Sequence, residues 1–150
     1  MRSKPIGQYI LAALLLTGIT ANAGAEQLAA YKITNFAIDA PLTGNPGDPQ
    51  KGKKIAIHRK KGNCLACHRM PIPEEADHGV TGTDLKGVAS RLSEGQIRLR
   101  MVDSKKFNPI TMMPSFYKTE GLHRVKKEFV GKTILNAQEV EDVIAYLKTL

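Results

Sequence analysis

The feature that most limits what this chain can fold into is Gly62-Asn63-Cys64-Leu65-Ala66-Cys67-His68, which holds both of its cysteines and follows them at once with histidine. Cys-x-x-Cys-His reads as a c-type haem attachment site. Two thiols three residues apart can add to the two vinyl groups along one edge of a porphyrin, and the next side chain then falls beneath the iron. Cys64 and Cys67 are therefore expected as covalent thioether anchors, and His68 as the proximal iron ligand. A redox dithiol would sit at a strand-to-helix junction in a βαβ pattern, and none is visible. A zinc site would want a second ligand pair, which the chain lacks. A disulfide between such close neighbours would close almost no loop and restrain the unfolded chain little.

Residues 1–25 read as a cleaved signal peptide: Arg2 and Lys4 form a basic start, an apolar run covers 10–19, and Ala21-Asn22-Ala23 or Ala23-Gly24-Ala25 offers a small-residue cleavage site. The apolar run is about half of the ~20 residues that span a bilayer, so an anchor is the poorer reading and no membrane contact is expected after cleavage. Export places the chain in the periplasm, where haem is attached to reduced thiols in bacteria. The remaining 125 of the 150 residues suit a single domain. Of the 22 Lys and Arg, Arg2 and Lys4 leave with the signal, so 20 face 14 Asp and Glu. Nucleic acid is not the expected partner of an exported chain with no binding motif for it; steering toward acidic protein surfaces is.

Residues 26–47 show little periodicity and end in Pro41, Gly44, Pro46 and Gly47, yet Tyr31, Ile33, Phe36, Ile38 and Leu42 give them apolar content. They read as an extended arm lying on the domain or on a partner, with a partly disordered start as the alternative. Residues 48–150 form the expected haem domain. Asp48-Pro49 opens a helix, with Asp at the N-cap and Pro in the first turn, expected to end near Lys60 or Lys61. Gly52 inside it costs roughly 1 kcal/mol relative to alanine, which hints at a close helix crossing. Lys51, Lys53, Lys54, Arg59, Lys60 and Lys61 crowd the same stretch, as a solvated face or a docking surface. Residues 69–92 read as loop, with Leu85 and Val88 buried. Ser93 and Gln96 form a capping box for a helix to about Asp103, with Ile97, Met101 and Val102 inward. Residues 105–135 are irregular, with a hairpin possible in 118–135. Asn136 caps the last helix, where Val140, Val143, Ile144 and Leu147 recur at helical spacing. The fold class is all-α, a cytochrome c-like domain of short helices whose long loops have a haem to pack on.

A sixth iron ligand must come from elsewhere. Met70 is two residues past His68 and reaches only about 7 Å, too short to round the porphyrin. Met101 belongs to a helical apolar face, where packing is the ordinary role of methionine. Met113 follows His68 by 45 residues, and Pro114 biases its backbone toward extended geometry. It is the expected distal ligand, with Met112 packed beside it; His78 and His123 remain the alternatives for a bis-histidine iron. A thioether raises the reduction potential, and a six-coordinate iron passes electrons rather than activating substrate.

Gly62 to Pro71, the loop Asn108-Pro109-Ile110-Thr111-Met112-Met113-Pro114-Ser115-Phe116-Tyr117 and the ending Gly131 to Leu147 together resemble the SoxX family. These are the monohaem c-type cytochrome subunits of the SoxAX complex in the thiosulfate-oxidising Sox system, and the likeness runs from about Pro41 to the C-terminus. It implies one haem c and a heterodimer with a SoxA-like cytochrome of one or two haems. It also implies an L-cysteine S-thiosulfotransferase reaction that attaches thiosulfate oxidatively to a cysteine of a SoxY-type carrier, with electrons passed on to a downstream cytochrome c. The sulfur chemistry in such complexes uses a cysteine persulfide haem ligand. This chain has no third cysteine, so no residue of it is expected to be catalytic, and Cys64, Cys67, His68 and Met113 are redox residues. Small c-type cytochromes commonly place Gly-Pro before the Leu of this loop, where this chain has Gly82-Thr83, which leaves open the carbonyl that orients His68. A free-standing periplasmic electron carrier is the alternative, and a peroxidase-like haem a more distant one.

Overall fold

The computed structural model describes residues 28–150; the signal-peptide reading of 1–25 lies outside them. Four α-helices follow in order, α1 (Pro49–Ile57), α2 (Val88–Arg91), α3 (Glu94–Asp103) and α4 (Ala137–Leu147), with 3-10 turns at Cys64–Ala66, Ser104–Lys106 and Lys127–Phe129. Among the described residues β-pairing is limited to one bridge between Thr34 and Ala37. The all-α expectation holds.

The packing of α1 against α4 is the frame. The Asp48 carboxylate accepts the Gln50 and Lys51 backbone N–H groups to start α1. Asn136 and Glu139 cap each other's backbone to start α4. The two helices meet at Gly52, where a Cβ would run into the Asp142 carbonyl and stand 2.9 Å from the Tyr146 Cβ. The helix-interior glycine thus marks a close crossing, as its cost suggested. α3 begins at the Ser93–Gln96 capping box and packs on α4. Ile55, Ala56, Leu99, Val102, Val140, Val143 and Ile144 join in one apolar core.

Three expectations need correction. α1 stops at Ile57, short of Lys60, because the chain doubles back there: the Gly62 N–H donates to the Ile55 carbonyl at 3.2 Å. α2 lies inside the stretch read as loop; four residues are too few to show a period. In 118–135 a 3-10 turn replaces the hairpin, and Ile134 and Leu135 both donate to the Phe116 carbonyl at 3.0 Å.

The segment 28–47 lies along the domain. Ile38 and Leu42 are buried, Ile38 N–H donates to the Gly95 carbonyl at 3.0 Å, and Leu42 N–H to Glu141 Oε1 at 2.9 Å. Beneath it Arg98, with no exposed surface, forks onto both Glu141 carboxylate oxygens and donates to the Ile38 carbonyl at 2.8 Å. A buried guanidinium is tolerable only with such partners, so this ion pair and the segment above it need each other.

Candidate functional site

Asn63 takes a left-handed conformation (φ 47°) and turns the chain into the cysteine segment; asparagine is among the few residues that tolerate it. The backbone then coils once, with Cys67 and His68 N–H both donating to the Cys64 carbonyl, at 3.1 and 2.9 Å. That single turn sets Cys64, Cys67 and His68 on the wall of one cavity of about 1240 Å³. Ordinary small-molecule sites run to roughly 300–1,000 Å³, so this one suits a large ligand. Much of the remaining wall is apolar, with Leu85, Val88, Leu92, Ile97, Phe116 and Leu147.

The His68 ring is held from two sides. Its Nδ1 lies 2.7 Å from the Thr83 carbonyl, so Nδ1 carries the proton and donates, which leaves Nε2 as a free basic nitrogen. Gly82 backs the ring so closely that a Cβ there would sit 2.5 Å from Cε1. The carbonyl that the sequence left open is therefore that of Thr83. The loop is laced to the cysteine turn as well: Gly79 and Gly82 N–H donate to the Leu65 and Cys67 carbonyls, each at 2.7 Å.

Burial pushes the free Cys64 thiol up to about 11. A redox dithiol works through a thiolate and needs the opposite shift. Among the described residues no group of three or more His, Cys, Asp or Glu side chains is placed to hold a bare metal ion.

Met113 borders the same cavity, and both of its peptide groups are tied by neighbouring hydroxyls. Its N–H donates to Thr111 Oγ1 at 3.2 Å, and its carbonyl accepts from Ser104 Oγ at 2.7 Å. Met112 is 78% exposed and stands at the rim, so it does not pack beside Met113 in the interior as expected. Met101 also reaches the cavity, but from α3 and as part of the apolar core. His78 accepts the Met70 N–H on Nδ1 at 3.2 Å and lines a smaller pocket with Met70; His123 is exposed. The structure thus gathers Cys64, Cys67, His68 and Met113 around one space and leaves Met70, His78 and His123 outside it. Two thiols, the His68 Nε2 and the Met113 thioether, on the wall of a largely apolar cavity, are a donor set that fits haem c.

Ser104 and Thr111 were not singled out from the sequence, and Thr83 was named only as a departure, with its carbonyl's role left open. Thr83 acts through its carbonyl, which leaves no side-chain signature; Thr111 lies within the Asn-Pro-Ile-Thr-Met-Met-Pro run, which was its one available signal. Of the six basic residues near the motif, Lys53 and Lys61 are paired to Glu74 and Glu139, while Arg59 and Lys60 stand exposed at the cavity edge.

Comparison with known proteins agrees with this geometry. The family model described as Cytochrome c matches residues 49–150. Among solved structures, a chain in the crystal structure of SoxXA from P. pantotrophus is similar, with 37% sequence identity and a TM-score of 0.73, over 79% of this chain and 93% of that one. No curated protein matches.

Proposed function

This chain belongs to the cytochrome c family as a SoxX-type class I member with one covalently bound haem c, and we propose that it is the electron-transfer subunit of a thiosulfate-oxidising SoxAX complex. In this reading Cys64 and Cys67 would hold the haem as thioethers, and His68 and Met113 would ligate its iron. The observation that carries the assignment is the shared cavity into which all four residues face, with Nδ1 of His68 committed to Thr83 and Nε2 left free.

The haem supplies a one-electron couple whose potential a methionine ligand raises. The chain's part is to hold both ligands so that neither has to reorganise when charge changes. Thr83 keeps the imidazole in one tautomer and one orientation. Thr111 and Ser104 fix the backbone from which the Met113 thioether projects. With His68 and Met113 both given to the iron, the site would leave no place for substrate, and both cysteines would serve as anchors. Thiosulfate chemistry therefore belongs to a SoxA-like partner, as does attachment to a cysteine of a SoxY-type carrier in the L-cysteine S-thiosulfotransferase reaction. This subunit takes electrons from the partner's haem and hands them to a downstream cytochrome c. The similarity to a chain of a SoxXA structure supports that partner.

The signal-like residues 1–25 support work in the periplasm, and among the described residues no helix is long and apolar enough to cross a membrane. The exposed cations at the cavity edge support docking to acidic protein surfaces. The test is co-purification: the exported, haem-loaded chain should elute with a second c-type cytochrome, and the pair should couple thiosulfate to a SoxY-type cysteine. A strictly monomeric protein in native extract, with no such partner, contradicts the subunit reading and leaves a free carrier.

A further inference from the structure

α3 ends in a carboxylate placed against two costs. Asp103 is its last residue, where the helix dipole disfavours negative charge, and it is only 2% exposed, where a charge loses its water. A group held against both is explained by what it grips. Ser115 Oγ donates to Asp103 Oδ1 at 3.1 Å, and Lys118 Nζ donates to Oδ2 at 2.5 Å.

Both partners lie just beyond Met113-Pro114, and the neighbours of Asp103 reach the same segment. Ser104 Oγ donates to the Met113 carbonyl at 2.7 Å, and the Phe116 N–H donates to the Met101 carbonyl at 2.9 Å. Met101, Asp103 and Ser104 thus hold residues 113–118 at Met113, Ser115, Phe116 and Lys118. Of these bonds only those to Asp103 involve a charge, and charge-assisted hydrogen bonds are roughly twice as strong as neutral ones. Pro114, with no N–H, cannot tether the segment itself. The stretch 28–47 closes over the clamp: the Ala29 N–H donates to the Tyr117 hydroxyl at 2.7 Å. Tyr31 stands close enough that burial and, after it, the Asp103 carboxylate push its hydroxyl above the ordinary tyrosine value.

Asp103, Ser115 and Lys118 all lie outside the wall of the large cavity. Whatever Asp103 does for the site, it does through the segment it holds. We infer that Asp103, with Lys118 and Ser115 as its partners, is a positioning residue that keeps the Met113 thioether at the iron, which rests on the axial assignment proposed above.

The experiment titrates imidazole into the ferric, haem-loaded full protein. Imidazole competes with the thioether for the iron, so its apparent affinity reads how readily the sulfur leaves. D103N should bind imidazole about tenfold more tightly than wild type, the effect of losing one charged hydrogen bond. K118Q should shift the same way, and the double variant D103N/K118Q should fall short of the sum of the two, because both remove one contact. S115A, which takes away only a hydroxyl, should shift by less, and it decides the matter if D103N fails to take up haem. In M113A, where no sulfur competes, adding D103N should change nothing, whereas a residue with a merely structural role would weaken the site in either background. Imidazole affinities of D103N and S115A equal to wild type, or a D103N effect that persists undiminished in M113A, overturn the role of Asp103. If M113A itself binds imidazole no more tightly than wild type, the axial assignment falls instead.

Discussion

Thr83 enters the site by its carbonyl alone, which fixes the His68 ring, and Thr111 by its hydroxyl, which holds the Met113 backbone. The hydroxyl can be tested by substitution. T111V keeps the shape and removes the acceptor, leaving the Met113 N–H without its partner at 3.2 Å. The loss should cost about 1 kcal/mol and should appear first as weaker sulfur ligation. The check is the denaturant midpoint at which the thioether-to-iron band disappears, which should fall before the overall unfolding midpoint does. At this scale the covalent and axial candidates were legible because Cys-x-x-Cys-His and Met-Met-Pro are local signatures. Thr83 was not, since a carbonyl looks the same in every residue. Nor was Arg98, because a buried guanidinium is indistinguishable in sequence from the surface arginines around it.

Among the elements, helix starts were readable and helix ends were less so. Asp48-Pro49, Ser93 with Gln96, and Asn136 with Glu139 announce themselves within four residues, and each forms the cap it suggests. The end of α1 depends on where Gly62 folds back, a tertiary event, and α2 is a single turn seated by Gly87 N–H donating to the Leu150 carbonyl at 2.7 Å. Gly52 makes the sharpest forecast here. On propensity alone G52A should gain about 1 kcal/mol. The new methyl would instead meet the Asp142 carbonyl across the α1–α4 crossing, and overpacking of that kind typically costs 1–3 kcal/mol. Net destabilisation of up to about 2 kcal/mol in chemical denaturation is expected, whereas stabilisation would mean that the helices are not in contact there.

On the scale of the whole molecule, the C-terminal end of α4 is stitched to α3 by charge. Glu94 accepts from Lys148, and its other oxygen from Arg98, at 2.6 and 2.8 Å. The Lys148 hydrogen bond, with Arg98 behind it, holds the Glu94 carboxyl below the ordinary glutamate value. A lowered folded pKa means that this contribution is complete above the unfolded value near 4.3 and is lost as pH falls through the folded one. E94Q should therefore be less stable than wild type at neutral pH, and the gap should close below about pH 4; thermal midpoints across pH check it. The same architecture explains why loops this long are tolerated: they wrap a cavity whose occupant completes the core.

The central claim is that Met113 closes the iron opposite His68, and the ferric visible spectrum of three haem-loaded proteins tests it most directly. Wild type and M112A should both be low-spin and show the sulfur-to-iron charge-transfer band at the red end, and M113A should lose it. A band that survives in M113A and vanishes in M112A or M101A, or a wild-type spectrum with no such band, contradicts the account.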